Sequence, residues 1–517
     1  MSVMEQPLVE APREVRKDSI HTQIRGSSLL LGGRLLAVAI NFAAQVLMVR
    51  YLSTANYGAL GYSLSVVTML QTICMLQLQE VVVRFVPIYH EREDYGRLLG
   101  TLVLTVCTVL LTSSLLIILF FAWPEMMRRY MSHESLPIRV LSVMIFLLPI
   151  QAIDAVFMAL FASFSSSRAI FFRRHLLAPG LILIAALLMM LFRANVTFLA
   201  YGYIVANIIG ILAYCFMLFR LLRERGLLAH LQFSKMIIPA REIFGYSFPV
   251  LSSSLVSMTL GSAGVFLLGY YHTTIEVAKF RAVLPAAQLN NTVLMSFTTL
   301  YTPLAARLFA KNDYDGINKL YWRTAVWMAL LTFPIFAATF CIAQPLVEFV
   351  FGHRYAASGP ILAMLALGFY FNVALGFNGL TVKVLGKLRY TVVINIIAAV
   401  INIGLLLLLI PRYGAIGAAI GTTATMIIHN LLKQAGLRLA SGLSIFDAQY
   451  RSFYILIAAS SVGLFAIQQL ISTSLKVAGP LAALVSILVL AVARKKLHVS
   501  ETFPELLKLP GMRFIFE

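Results

Sequence analysis

Two residues of opposite charge, Arg34 and Asp154, lie inside long apolar segments of the sequence. An arginine near the centre of a membrane-spanning helix costs about 2.5–3.5 kcal/mol on insertion scales, so another group must offset it. One interpretation is that the two residues neutralise each other. The other is that one or both face a water-filled cavity and contact a charged substrate or a coupling ion. Asp154 is the candidate ion-coupling residue, because we place no other acidic residue deep in an apolar segment.

Arg34 shares a helix face with two amide side chains. Asn41 follows it by two helical turns and Gln45 follows Asn41 by one, so all three project in a similar direction. A face of this polarity packs poorly against lipid. Amide side chains inside a membrane either bond neighbouring helices to one another or line a substrate cavity, and both roles stay open for Asn41 and Gln45.

A second polar run begins with Lys279 and Arg281 and continues to Asn290 and Asn291. The two basic residues precede an apolar segment, where long side chains can reach back to the membrane surface. The alternative is a polar track that enters the membrane. The two asparagines have the same alternatives as the other amides, which are helix bonding and cavity lining.

The composition is that of a membrane protein. Hydrophobic residues make up 60% of the chain and charged residues 12%, and the mean hydropathy is +0.87. About fourteen windows of roughly 20 apolar residues are long enough to cross the hydrocarbon core, which predicts an all-α polytopic membrane protein and excludes a soluble domain. The windows are residues 27–49, 58–78, 98–122, 138–162, 176–192, 196–219, 242–269, 282–306, 324–343, 359–382, 390–410, 415–437, 452–471 and 477–493.

The sequence lacks recognisable catalytic motifs. We find no phosphate-binding glycine loop, metal-ligand cluster or nucleophile motif. The cysteines lie at irregular spacing in apolar segments and indicate neither disulfides nor a metal site. The longest outer loop, residues 123–137, is too short to hold a catalytic domain. We therefore expect a transporter that is not an enzyme and that needs no metal or cofactor.

The basic residues predict the orientation in the membrane. The chain has 41 Lys and Arg residues and a net charge of +20. Roughly three times as many of them fall on the side of the amino terminus as on the other side, so the positive-inside rule places both termini in the cytoplasm. Because the basic residues are scattered over many short loops, we expect no nucleic-acid partner.

The chain contains an internal repeat. Residues 50–59 align with residues 269–278, and the same offset carries Asp94-Tyr95 onto Asp313-Tyr314. The offset joins spans of the same direction, which predicts two parallel-repeat six-helix lobes around a central cavity plus two extra C-terminal helices. The predicted parts are a cytoplasmic N-tail (1–25), an N-lobe (26–219), a cytoplasmic linker (220–241), a C-lobe (242–440), the two extra helices (441–494) and a cytoplasmic C-tail (495–517).

Several short motifs resemble those of a known family. Arg50-Tyr51-Leu52-Ser53 with Tyr57-Gly58, Phe351-Gly352 with Tyr355, Gly386-Lys387, and Ile410-Pro411-Arg412-Tyr413-Gly414 are similar to recurring motifs of the polysaccharide-biosynthesis flippases, which belong to the multidrug/oligosaccharidyl-lipid/polysaccharide exporter superfamily. The resemblance covers about residues 26–440. Thr54 departs from it, because the family often has proline there.

The resemblance implies a carrier in the bacterial cytoplasmic (inner) membrane. It would move undecaprenyl-pyrophosphate-linked oligosaccharide repeat units from the inner to the outer leaflet by alternating access, for the biosynthesis of a surface polysaccharide. Its cationic cavity would map to Arg34 and Arg281, with Lys279 and Lys383 as further candidates. The implied partners are the lipid-linked oligosaccharide, membrane lipid, and a polysaccharide polymerase with its chain-length machinery, and the candidate coupling ion is H⁺ or Na⁺.

Three alternatives remain to be distinguished. A drug or organic-cation antiporter of the same superfamily would need acidic cavity residues, and Asp154 is nearly alone. A flippase for the peptidoglycan precursor would recognise a related lipid and is distinguished by complementation. A membrane glycosyltransferase or polymerase would need a large outer loop with catalytic groups.

Overall fold

The computed structural model describes residues 13–123, 134–164, 166–224, 233–442, 447–471 and 474–497, and regular structure in these ranges is helical throughout. The prediction of an all-α polytopic membrane protein is confirmed. Residues 1–12 of the predicted N-tail, most of the predicted C-tail, most of the outer loop 123–137 and the middle of the linker 220–241 lie outside the described residues.

The first half of the chain forms nine α-helices. They are α1 (Arg13–Tyr51), α2 (Thr54–Met75), α3 (Leu78–Glu91), α4 (Tyr95–Ala122), α5 (Ser135–Met144), α6 (Leu147–Ser163), α7 (Ser167–Ile170), α8 (Ala178–Leu191) and α9 (Val196–Glu224) among the described residues. A π-helical stretch, Phe171–Leu177, joins α7 to α8 without a break in the chain direction.

The second half continues after a short 3₁₀ turn, Phe233–Lys235. Its helices are α10 (Ala240–Tyr271), α11 (Thr274–Gln288), α12 (Asn291–Ala310), α13 (Tyr314–Phe336), α14 (Ala343–Phe351), α15 (Gly359–Ala374), α16 (Asn378–Val384), α17 (Leu388–Ser441), α18 (Arg451–Ile471) and α19 (Leu475–Leu497). A second π-helical stretch, Ala337–Cys341, follows α13, and a 3₁₀ helix, His353–Ser358, precedes α15.

Ten helices in the described ranges are long and apolar enough to cross a membrane, and there are eleven if the bent pair α5 and α6 forms one span. Part of the difference from the fourteen predicted windows is structural. The helix α17 contains two predicted windows, and its helical geometry is interrupted at Gly414 (φ 55°, ψ −133°). Other windows are divided between short helices.

Broken spans recur at corresponding places in the two halves. Between α2 and α3 the chain passes through left-handed conformations at Leu76 and Gln77. The corresponding span of the second half breaks between α11 and α12. The fourth predicted span of the first half breaks between α5 and α6. The fourth span of the second half breaks between α15 and α16, where Gly376 has a φ of 65°. Discontinuous helices are common in transporters because their ends can contact ligands near the middle of the membrane.

The largest hydrophobic core contains residues of both halves. Tyr57 and Tyr62 of α2 pack with Phe280 and Val283 of α11, and all four are buried. The helices α2 and α11 approach so closely that a Cβ atom added to Gly58 would lie 1.8 Å from the Thr274 carbonyl oxygen. Only glycine fits there, which gives the Tyr57-Gly58 motif a structural reason.

A second core attaches the two C-terminal helices. Phe453 of α18 and Val489 of α19 pack with Trp327, Phe333 and Tyr370 of the second half. The extra helices therefore pack on the outside of the second half, against α13 and the π-helical stretch that follows it.

Candidate functional site

A cavity of about 160 Å³ lies where α1, α2 and α11 meet, and residues of both halves line it. Its polar lining consists of Asn41 and Gln45 from α1, Tyr57 from α2, Tyr203 from α9 and Arg281 from α11. The structure thus brings together three residues that the sequence indicated in two separate places. A polar cavity between two halves is the usual position of a transporter binding site.

Arg281 is the charged residue of this cavity. Its side chain passes over Gly61 of α2, where an added Cβ would lie 3.1 Å from the Arg281 Cγ. The side chain is partly exposed, and the described parts of the chain supply no carboxylate within salt-bridge distance. A partly exposed arginine without a carboxylate partner can bind an anionic group through several hydrogen bonds at once.

Gln45 connects the two halves as well as lining the cavity. It is 7% exposed, and its Nε2 donates hydrogen bonds to the carbonyl oxygen of Ala282 at 2.8 Å and to the Tyr57 hydroxyl at 3.4 Å. The sequence left two roles open for Gln45, which are bonding to a neighbouring helix and lining a substrate cavity. The structure shows that Gln45 holds the backbone of α11 beside Arg281.

Arg34 lies at the inner end of the same helix face. The described apolar part of α1 extends from Gly32 to Tyr51, and Arg34 lies near its start. The depth of Arg34 in the membrane stays a prediction. The side chain is exposed, and it lies seven residues, about 10 Å of axial rise, from Asn41.

Asp154 pairs with a residue that the sequence analysis missed. Its Oδ1 lies 2.8 Å from Nη2 of Arg173, whose side chain is 3% exposed. Mutual neutralisation of Arg34 and Asp154 is therefore wrong. The sequence did not predict Arg173 as a site residue, because it lies between the apolar windows that end at residue 162 and begin at residue 176. In the structure the π-helical stretch Phe171–Leu177 lies in this interval.

The site of Arg173 is shaped by neighbouring helices. A Cβ added to Gly210 of α9 would lie 2.3 Å from the guanidinium, so Gly210 provides the space for it. The guanidinium also lies 5.6 Å from the centre of the Tyr214 ring. A glycine and a tyrosine one turn apart on α9 are the sequence signal that accompanies this buried arginine.

Lys279 lies outside the cavity lining and forms a salt bridge with Glu276, at 2.5 Å between Nζ and Oε1. Glu276 also accepts a hydrogen bond from the backbone N–H of Ala415 at 2.9 Å. Burial raises the pKa of the Glu276 carboxyl, but the bonds from Lys279 and Ala415 outweigh it, so the pKa lies below its ordinary value. Through these bonds Glu276 connects the start of α11 to α17.

The remaining predicted residues also lie away from the cavity lining. Asn290 is fully buried and donates to the Thr339 hydroxyl at 3.0 Å. Asn291 accepts a hydrogen bond from Asn372 at 3.1 Å. Lys383 is exposed near the end of α16. The two asparagines therefore bond helices of the second half to one another.

The chain belongs to the polysaccharide biosynthesis protein family, whose model matches residues 24–309. A second family model, MatE, matches residues 249–408. The first match covers more than half of the chain and includes every residue of the cavity lining. The resemblance to the polysaccharide-biosynthesis flippases of the multidrug/oligosaccharidyl-lipid/polysaccharide exporter superfamily is confirmed.

Two relatives show distant similarity in sequence. An uncharacterized membrane protein of Methanocaldococcus jannaschii is 22% identical over 413 residues, which are 77% of this chain and 80% of the relative. The teichuronic acid biosynthesis protein TuaB of Bacillus subtilis is 24% identical over 202 residues, which are 37% of this chain and 41% of TuaB.

The fold is that of known membrane transporters. The lipid II flippase MurJ in an inward closed conformation superimposes with a TM-score of 0.69 at 16% identity, over 90% of this chain and 99% of MurJ. An inward-facing multidrug resistance MATE transporter gives a TM-score of 0.65 at 15% identity, over 78% of this chain and 95% of the transporter. At such identities the likeness concerns the fold alone.

Proposed function

We propose that this protein flips undecaprenyl-pyrophosphate-linked oligosaccharide repeat units from the inner to the outer leaflet of the bacterial cytoplasmic membrane by alternating access. The observation that carries the proposal is Arg281, a cation without a carboxylate partner among the described residues, in a cavity lined by both halves. A partly buried cation without a carboxylate partner can bind an anion, and pyrophosphate supplies one.

The other lining residues suit the sugar part of the same molecule. Asn41, Tyr57 and Tyr203 offer an amide and two hydroxyl groups, which donate and accept hydrogen bonds to sugar hydroxyls. Arginine binds phosphate oxygens through a planar fork of N–H groups, whereas lysine offers a point charge. Arg281 is therefore assigned to the pyrophosphate.

The size of the cavity supports a mechanism in which the halves move. A volume of about 160 Å³ has room for only a small group of water molecules. An oligosaccharide headgroup is much larger. The two halves must separate before the substrate can enter, and alternating access provides this separation.

Arg34 marks the entry side in this proposal. It lies on the same face of α1 as Asn41, about 10 Å closer to the end that the charge distribution places in the cytoplasm. A headgroup arriving from the inner leaflet would meet Arg34 first and Arg281 afterwards. Lys279 and Lys383 take secondary roles, because neither lines the cavity.

Asp154 is proposed as the ion-coupling residue. Its carboxylate is held by Arg173, and binding of H⁺ or Na⁺ at Asp154 would release Arg173 and change the packing of α9 around Gly210. Both termini are proposed to lie in the cytoplasm, and a polymerase with its chain-length machinery would receive the flipped product.

Two related functions are distinguished by the cavity and by genetics. A cation antiporter would need an acidic lining, whereas the lining contains Arg281 and no Asp or Glu among the described residues. A peptidoglycan-precursor flippase would bind the same pyrophosphate with a different sugar. Failure to rescue a strain depleted of its peptidoglycan-precursor flippase separates that function from the proposed one.

The test is binding of a short-chain polyprenyl-pyrophosphate-linked sugar to the purified protein. Arg281→Ala should weaken binding by about tenfold or more, since a charge-assisted hydrogen bond contributes about 1.5–3 kcal/mol. Arg281→Lys should keep part of the affinity. The matched control is Arg438→Ala, which removes an exposed arginine at the end of α17. Equal binding by wild type and Arg281→Ala would overturn the assignment of the pyrophosphate.

A further inference from the structure

The two halves meet at one end of the bundle through charged side chains that contact helix ends. We call this end, which contains the turns after α1 and after α10, the turn end. The charge distribution of the sequence predicts that it lies on the outer side of the membrane. At the turn end each of three charged residues, Arg50, Arg354 and Glu134, bonds to the backbone at the end of a helix that belongs to the other half.

Arg50 lies in the last turn of α1, in the first half. Its Nε donates a hydrogen bond to the carbonyl oxygen of Val350 at 2.8 Å, and its Nη2 donates to the carbonyl oxygen of Phe349. Both carbonyls lie in the last turn of α14, in the second half. The last carbonyls of a helix have no partner within the helix and carry the negative end of its dipole, so an arginine suits them.

Arg354 makes the reciprocal contact. It follows α14 in the second half, and its Nη2 donates to the carbonyl oxygens of Val49 and of Arg50, the latter at 2.6 Å. These carbonyls belong to the last turn of α1. Each half therefore uses one arginine to cap the C-terminal end of a helix in the other half.

Glu134 is negatively charged and contacts the N-terminal end of a helix in the second half. Its Oε2 accepts a hydrogen bond from the backbone N–H of Thr274 at 3.2 Å, at the start of α11. The first N–H groups of a helix are unpaired and favour an anion. Glu134 precedes α5, and Arg354 precedes α15, and the offset of the internal repeat relates these two positions to within one residue.

The contacts beneath these bonds are close. Gly58 touches the Thr274 carbonyl, and the rings of Tyr57 and Tyr355 meet edge to face at 6.5 Å between centroids. We propose that the three cross-half helix caps form a latch that holds the turn end closed, and that this end opens only when they break. The role of the latch in transport rests on the proposed alternating access. The contacts that form the latch do not depend on that proposal.

The test uses an accessibility probe. Ala278 is fully buried and lies on the face of α11 between Thr274, which meets Gly58, and Arg281, which meets Gly61. In a chain whose four cysteines are replaced by alanine, Ala278→Cys should react slowly with a membrane-impermeant maleimide. Adding Arg50→Gln and Arg354→Gln should raise the labelling rate about tenfold, because two charge-assisted capping interactions are lost.

The matched control is Arg139→Gln, which removes an exposed positive charge from α5 near the same end. It should leave the labelling rate unchanged. Unchanged labelling in the double variant, with normal expression and a normal gel-filtration profile, would overturn the latch. An equal rise in the Arg139→Gln control would also overturn it, because the effect would then come from net charge.

Glu134→Gln provides an independent test if the arginine variants fold poorly. Glutamine keeps an acceptor oxygen and removes only the charge, so the labelling rate should rise about threefold, less than in the double variant. No change with Glu134→Gln would remove Glu134 from the latch. Because labelling requires no substrate, a failure here is distinct from a failure of the proposed flippase activity, which the binding of the pyrophosphate-linked sugar measures.

Discussion

Arg173 and Asp154 form an ion pair, 2.8 Å between Nη2 and Oδ1, in which the arginine is almost fully buried and the aspartate is 25% exposed. The pair joins the π-helical stretch Phe171–Leu177 to α6 inside the first half. A buried pair costs desolvation on both sides, so its presence calls for a reason other than stability.

The first prediction concerns the stability of this pair. Arg173→Met should lower the free energy of unfolding by about 3 kcal/mol, because it leaves the Asp154 carboxylate without its partner in the membrane. Adding Asp154→Leu should recover most of the loss. Thermal unfolding in detergent checks both variants, and a double variant no more stable than Arg173→Met would show that the two residues do not act as a pair.

The second prediction concerns ion coupling through Asp154. Asp154→Asn removes the charge but keeps the size of the side chain, so transport by this variant should lose its dependence on a pH or sodium gradient. Transport into vesicles with and without each gradient measures this. If the gradient dependence survives in Asp154→Asn, the residue serves only as the structural partner of Arg173.

The third prediction concerns the entry path. Arg34→Ala should make lipid-linked oligosaccharide accumulate on the inner leaflet while the protein remains inserted, and Arg34→Lys should retain part of the activity because it keeps the charge. Arg281→Ala should give the same accumulation, with Arg438→Ala as the near-neutral control. Normal polymer export from the Arg34→Ala, Arg281→Ala double variant would contradict the cationic path.

The fourth prediction concerns pH and Glu276. The pKa of its carboxyl in the folded protein lies below the ordinary value, so the stability it contributes is present above that ordinary value and is lost as the pH falls through the folded pKa. Wild type should therefore lose Tm on acidification more steeply than Glu276→Gln. Parallel pH profiles for the two proteins would contradict the prediction.

The sequence predicted the helical class and part of the cavity for physical reasons. Apolar windows report membrane-spanning helices directly, and helical periodicity placed Asn41 and Gln45 on one face of α1. The meeting of this face with Arg281 was reached only through the family resemblance, because nothing in the periodicity of one helix reveals which helix lies opposite.

Other features could not be predicted from local patterns. Arg173 stands in a run with Arg174 and His175, which resembles a loop, and only the space left by Gly210 explains its burial. The bond from Gln45 to Ala282 joins residues more than two hundred positions apart. Such partners follow from the packing of the two halves, which a single sequence does not encode in its local composition.

Glu134 and Arg354 have opposite charges at positions that the repeat offset relates to within one residue, and this has a consequence for the history of the chain. A pair of identical first halves would bring two copies of Glu134 and no counterpart of Arg354 to the seam, and a pair of second halves would bring the reverse. Neither symmetric dimer could close the seam with the bonds seen here. The cross-half caps seen here therefore require one half of each kind.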